Sequence, residues 1–246
     1  MKKFLLNTFV IALLSIKLIA QDEKLDDLPF TDEPLKEEKS SYFVLGGGVS
    51  GTLLFNNVDN INTMLKTSGY PEITSPLFAL GGQGITGLPW VPNLRVGISG
   101  MGGIKTTSNS KADTSSNYQF SSLGLSLGYG FIVTKGLAIV PEVSISSAGV
   151  VIERYYTSGN TTFETIGNVK SGLSKLTNSF INLQPQLNIE WATTNFLMLR
   201  VAVGYNYQLS SDWKLNYQTA VSNVPDGFKV SNMYAQIGVF LGLFNY

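Results

Sequence analysis

From Tyr42 onward, apolar and polar side chains alternate with a period of two, the signature of strands that bury one face. Ile181, Leu183, Leu187, Ile189 and Trp191 share one parity, and Asn182, Gln184, Gln186, Asn188 and Glu190 share the other. The next segment repeats the pattern, with Leu197, Leu199, Val201, Val203, Tyr205 and Tyr207 set against Met198, Arg200, Ala202, Gly204 and Asn206. Leu123 to Phe131 alternates with Ser and Gly, and Ala235 to Leu243 with Gln, Gly and Phe. The pattern predicts eight strands, near 42 to 55, 75 to 88, 93 to 104, 118 to 133, 137 to 153, 179 to 192, 195 to 209 and 230 to 245.

The connections between these strands alternate long and short. Residues 56 to 74, 105 to 117, 154 to 178 and 210 to 229 form long links, whereas 89 to 92, 134 to 136 and 193 to 194 are short. Strands that run up and down put every second connection on the same side, and short turns on one side with long loops on the other are expected of barrels that cross a membrane. An even number of strands closes a sheet without edges, and lipid demands closure because hydrocarbon cannot satisfy free backbone groups.

Alternation leaves open which face is outside. A soluble barrel with its aliphatic residues inward needs Lys and Glu outside, but the second face here is Gly, Ser, Asn and Gln, which suits the crowded interior of a small barrel. The aliphatic face is therefore expected to meet lipid. Trp90, Tyr129, Phe131, Trp191 and Phe196 gather at the short-turn end, and Tyr118, Tyr155, Tyr156, Tyr205 and Tyr207 at the other, as two interfacial girdles would.

Composition narrows the chemistry. The chain has 246 residues, 43% apolar and 14% charged, with no Cys and no His. Disulfides, thiolate or imidazole metal sites and Ser-His-Asp triads are therefore excluded. Of the 17 basic and 17 acidic residues, residues 1 to 20 hold three lysines and no acid, and residues 21 to 41 hold three lysines and eight acids. The remainder has eleven basic and nine acidic residues, a balance of +2, too small to suggest nucleic acid as a partner.

Lys2 and Lys3 followed by the apolar run Phe4 to Leu14 read as an export signal over residues 1 to 20; Lys17 cuts the run too short for a membrane span. Residues 21 to 41 are acidic, are interrupted by Pro29 and Pro34, and read as a solvated periplasmic tail, either a spacer or a docking strip for a basic partner. Residues 42 to 246 form the third segment, the barrel.

This body resembles the small, eight-stranded outer-membrane β-barrel superfamily, of the type seen in outer-membrane protein A and its adhesin relatives. The resemblance covers residues 42 to 246 and rests on patterns rather than fixed residues. Its chains usually end on an aromatic residue, as Tyr246 does, with apolar residues two, four and six before it; Phe244 and Phe240 match and Gly242 does not. The resemblance implies an all-β, antiparallel, up-and-down transmembrane barrel in the outer membrane of a Gram-negative-type bacterium. Membrane lipids and the barrel assembly machinery are its implied partners.

Four charged residues fall on the inward parity near the short turns: Arg95, Glu142, Glu190 and Arg200. Unpaired charge in a narrow interior is costly, so two cations and two anions predict one neutral cluster. It would serve as a closed plug or as a gate over a narrow conduit. Gly46, Gly48 and Gly51 spell the G-x-G-x-x-G of dinucleotide sites, but the required βαβ frame is missing, and small inward residues in a tight barrel explain them better. No cofactor is expected.

In the first long link, Val58, Ile61 and Leu65 recur at helical spacing and the run stops at Gly69 and Pro71, which predicts a short amphipathic helix in an external loop. The remaining loops are rich in Ser, Thr, Asn and Gly, as in KTTSNSKADTSSN, with Tyr155, Tyr156, Trp213 and Tyr217 as candidate contacts for an extracellular ligand. The same aromatics fit an interfacial girdle. Asn160-Thr161-Thr162 matches a glycosylation acceptor.

Two function classes follow. One is a non-catalytic barrel with a structural or surface-interaction, adhesin-like role through its loops. The other is a narrow passive pore with the luminal charges at its constriction. Lipid-modifying barrel enzymes share the architecture but use histidine for proton transfer, which this chain lacks.

Overall fold

The computed structural model describes residues 42–158, 170–224 and 228–246. Residues 1 to 41, which the sequence reads as an export signal and an acidic tail, and Asn160-Thr161-Thr162 lie outside the described residues. The elements are β1 (Phe43–Phe55), α1 (Asp59–Thr67), β2 (Leu77–Gly87), β3 (Leu94–Asn109), β4 (Thr114–Tyr129), β5 (Phe131–Thr134), β6 (Leu137–Ser158), β7 (Lys170–Thr194), β8 (Leu197–Gln208), β9 (Asp212–Leu215), β10 (Thr219–Ala220) and β11 (Asn232–Asn245).

Sequential antiparallel pairing carries β1 to β8 round the wall, with β5 continuing β4 past Gly130, and β11 pairs with β8. β11 then closes on β1 from Phe43–Asn245 to Phe55–Met233, so eight long strands form a barrel. Closure leaves no edge in the part of the wall that meets lipid, as backbone in hydrocarbon requires.

The aliphatic parity is outside. Leu80 and Ile237 are each 65% exposed, and Leu123, Leu125, Val201 and Leu241 stand out from the wall in the same way. The inward rows are layered. Near the short turns Val44, Val140, Met198, Phe240, Phe244 and Tyr246 pack as an apolar plug. Gly46 and Gly48 lie against it: a Cβ on Gly48 would come 2.6 Å from the Phe240 ring, so glycine is what lets the aromatic rings fill the bore. Gly51, by contrast, faces outward against Phe78, so only two of the three fingerprint glycines make room inside.

The helix forms where its spacing predicts. Ile61 and Leu65 are buried in a second apolar cluster with Leu54, Leu77, Phe120, Ile152 and Phe180 at the long-loop end of the bore. Asn62 fastens the returning chain, its side-chain amide donating to the Ile73 carbonyl and its oxygen accepting from the Ile73 N–H at 2.9 and 2.8 Å. Gly69, at φ +77°, ends the helix in the left-handed region that side chains rarely adopt.

Two of the long links are shorter than the sequence pattern predicts, because the strands continue into them. β3 and β4 pair as far as Asn109–Thr114, leaving residues 110 to 113 as a tight turn with Asp113 at φ +48°. β6 and β7 pair as far as Ser158–Lys170. The outward face of these extensions is Thr106 and Ser108 on β3, Ser115 and Asn117 on β4 and Lys175 and Thr177 on β7, with Leu173 the aliphatic exception, polar where the wall below is aliphatic. A polar outer face removes the alternation by which a strand is recognised. Residues 210 to 229 also contain a hairpin, β9–β10, with β9 paired to β7.

Candidate functional site

Register explains how the four luminal charges meet. Glu190 on β7 lies directly opposite Arg200 on β8. Arg95 on β3 lies opposite Gly128 on β4, and Gly128 lies opposite Glu142 on β6, so the bare glycine lets two side chains meet across an intervening strand. Arg95 Nε donates to Glu142 Oε2 at 3.1 Å, and its terminal nitrogens donate to Glu142 and Glu190. Arg200 Nε donates to Glu190 Oε1 at 2.9 Å, and its guanidinium lies 4.1 Å from the centre of the Phe240 ring.

Neutral groups complete the network. The Tyr42 hydroxyl donates to Glu190 Oε2 at 2.7 Å and accepts from Arg95 at 2.8 Å. Gln186 donates to Glu142 at 2.6 Å and accepts from the Tyr234 hydroxyl at 2.6 Å, and Gln83 accepts from Arg200 at 2.5 Å. Arg95 is 1% exposed. Ions this far from water persist only when opposite charge and hydrogen bonds offset their lost hydration.

Above the ions lies a layer of amides. Gln184 and Asn182 donate to Asn206, Asn206 to Asn232, and Gln236 to Thr52. A cavity of about 20 Å3 lies at this level between Gln83, Ser99, Ser144 and Gln236. That is room for about one water molecule, and apolar clusters lie above and below it. The arrangement can hold charge and rigidify the wall.

The four loop aromatics do not form one surface. Trp213 is 6% exposed, because β9 turns that ring into the upper apolar cluster, edge-on to Phe228 at 6.1 Å; this corrects its expected role as an exposed contact. Tyr155 and Tyr156 lie on the extension of β6 rather than in a loop. Tyr217 is 63% exposed and stacks under Lys175 Nζ at 4.5 Å. Lys175 also bridges to Glu153 at 2.8 Å, and Glu153 accepts from Tyr155 at 2.5 Å. Partial burial works to raise the Glu153 carboxyl, but the hydrogen bonds from Lys175, Tyr155 and Asn117 outweigh it and hold the group below its ordinary value.

Sequence reasoning singled out the charges and missed Tyr42, Gln83, Gln186 and Tyr234. Gln186 and Tyr234 share the inward parity, which was the available signal, but many amides share it. Tyr42 opens the first predicted strand on the inward parity of Val44, but parity alone does not set it apart from the other inward residues.

A closed eight-stranded wall, aliphatic outside and ionic within, defines a transmembrane β-barrel of the outer-membrane class. No family model matches the sequence, and no curated protein matches it. Among solved structures, the chain is similar to Neisserial surface protein A at 14% identity, over 81% of this chain and 96% of that one, with a TM-score of 0.47. A major outer membrane protein from Thermus thermophilus is similar at 11% identity over 81% and 99%, with a TM-score of 0.46. The attachment invasion locus protein of Yersinia pestis is similar at 8% identity over 82% and 99%, with a TM-score of 0.42.

Proposed function

We propose that this barrel is a non-catalytic surface-interaction protein whose working part is the sheet that rises beyond the lipid. The observation that carries this reading is a change of face along unbroken strands. Past the row Ile104, Gln119, Val151, Thr177 the outward side chains turn from aliphatic to polar, with Thr106, Asn117, Glu153 and Lys175 in the next outward row, yet β6 stays paired with β7 for another seven residues, to Ser158. At about 3.4 Å per residue this is about 24 Å of ordered strand above the aliphatic wall. Loops that served only to connect strands would not need such order.

The sheet carries features suited to contact. Tyr156, Leu173 and Tyr217 are exposed on it, beside the Glu153, Tyr155 and Lys175 cluster. The described pairing partners of Ile104 to Asn109 lie on β4 alone, so this run of β3 presents a strand edge of the kind that partner segments extend. The filled bore supports this reading over that of a passive pore.

The test uses proteoliposomes carrying the full chain or a version in which residues 151 to 177 are replaced by a two-residue Asn-Gly turn. Attachment to arrays of immobilised glycans and extracellular-matrix proteins is measured for both. The expected result is attachment by the full chain, loss of it in the shortened one, and a heat-modifiable gel shift in each. Steady ion currents in planar bilayers with no attachment would favour the pore.

A further inference from the structure

The wall has two gaps in its backbone ladder, each two residue pairs wide and each containing a proline. Between β4–β5 and β6 the register runs without a shift from Gly128–Glu142 to Phe131–Ile139, but Tyr129–Pro141 and Gly130–Val140 are not paired. Between β7 and β8, pairing holds at Leu183–Tyr207 and Gln186–Gly204 and is absent at Gln184–Asn206 and Pro185–Tyr205. Proline has no N–H to give a ladder, and strand prolines are ordinarily kept to edges and bulges. Here both lie in mid-wall on the exposed face, in rows of the unbroken β6–β7 ladder that flank the inward row Glu142–Gln186: Pro141 is opposite Leu187 and Pro185 opposite Val143.

These gaps flank a groove of about 670 Å3 in the outer wall. Its floor is a single register row, Gly128, Glu142, Gln186 and Gly204, with glycine at each end of the row. One bank is Tyr129, Pro141, Leu187 and Val203; the other is Leu127, Val143, Pro185 and Tyr205. Leu94 bounds one end and Met233 the other. From β3 to β11 the groove crosses five strand spacings, about 24 Å at about 4.8 Å each.

We propose that this groove holds one acyl chain of a phospholipid drawn from the leaflet on the short-turn side. The banks belong to the aliphatic face that meets lipid, so hydrocarbon is the medium that fills the space. The leaflet follows from the Leu94 end. There β3 begins, and the Asn93 amide donates to the Tyr129 hydroxyl at 3.4 Å, which puts polar groups where the glycerol esters of that leaflet lie. The seated chain covers both ladder gaps and gives the thinned wall the dispersion contacts that a void would forfeit.

The experiment refolds the full chain into vesicles of phosphatidylethanolamine and phosphatidylglycerol doped with a phospholipid bearing a photoactivatable diazirine on its acyl chain, and maps the labelled peptides. Label is expected to be enriched several-fold on Leu127, Val143, Leu187 and Val203 relative to Val49 and Leu80, which are more exposed and lie on β1 and β2, outside the groove. Val203→Trp, which fills the groove from its bank, is expected to abolish the enrichment while the protein keeps its heat-modifiable gel shift. Should that variant fail to fold, Val143→Phe asks the same question. Equal labelling of the two sets of residues overturns the proposal, as does enrichment that survives filling, or enrichment seen only with an acyl-labelled lipopolysaccharide probe.

Discussion

Arg95 and Glu142 form an ion pair although their strands are not neighbours, because Gly128 on the strand between them has no side chain. A Cβ on that glycine would lie 3.1 Å from Arg95 Nε and 3.2 Å from Glu142 Oε2. Gly128→Ala is therefore expected to destabilise the barrel by about 1–3 kcal/mol, the usual cost of overpacking a tight interior. At Gly47, where the nearest atom to a new Cβ is the Gln83 carbonyl oxygen at 3.5 Å, the same change is expected to cost no more than about 0.5 kcal/mol. Urea unfolding in vesicles measures both.

Glu190 is shared by Arg95, Arg200 and Tyr42, so its charge balances more than one partner. Glu190→Gln keeps the shape and leaves buried guanidinium charge uncompensated. The expected loss is about 3–5 kcal/mol, as for a broken buried pair. Conductance in planar bilayers is expected to stay at background in this variant, as apolar clusters lie on both sides of the ions.

The lipid boundary can be located by charge insertion. Leu125 and Gln119 lie on one outward row of β4, on opposite sides of Ser121. Leu125→Arg is expected to cost about 2–4 kcal/mol of folding free energy in phospholipid vesicles, and Gln119→Arg no more than about 1 kcal/mol. Equal penalties would move the boundary and remove the projecting sheet.

Acid should loosen the projecting sheet before the barrel. The Glu153 carboxyl is held below its ordinary value, so the folded sheet favours the ionised form. The resulting stability is fully present above the unfolded value, about 4.3, and is lost as the pH falls through the depressed one. The gain is within about 1 kcal/mol for a pair this near the surface. Proteolysis within residues 150 to 178 should rise below about pH 4 in the native chain and become pH-independent in Glu153→Gln.

Period-two alternation was enough to assign the strands of the lipid-spanning wall, because a residue in that wall faces either hydrocarbon or a polar bore and the two environments select different side chains. Parity also named Arg95, Glu142, Glu190 and Arg200 as inward. It failed on β4 before Tyr118 and on β7 before Ser179, where water on the outside lets Ser, Thr, Asn and Lys occupy a strand that then resembles a loop, and it failed for Trp213, whose inward turn depends on β9 pairing with β7. Which charges meet is a matter of register across strands distant in sequence, and parity is blind to register. Arg95 reaches Glu142 only because Gly128 stands between them, and Tyr42 reaches Glu190 only because the chain's last strand closes on its first. The two proline gaps were visible as two prolines; that they flank one groove follows from the pairing of β6 with β7, which local composition does not encode.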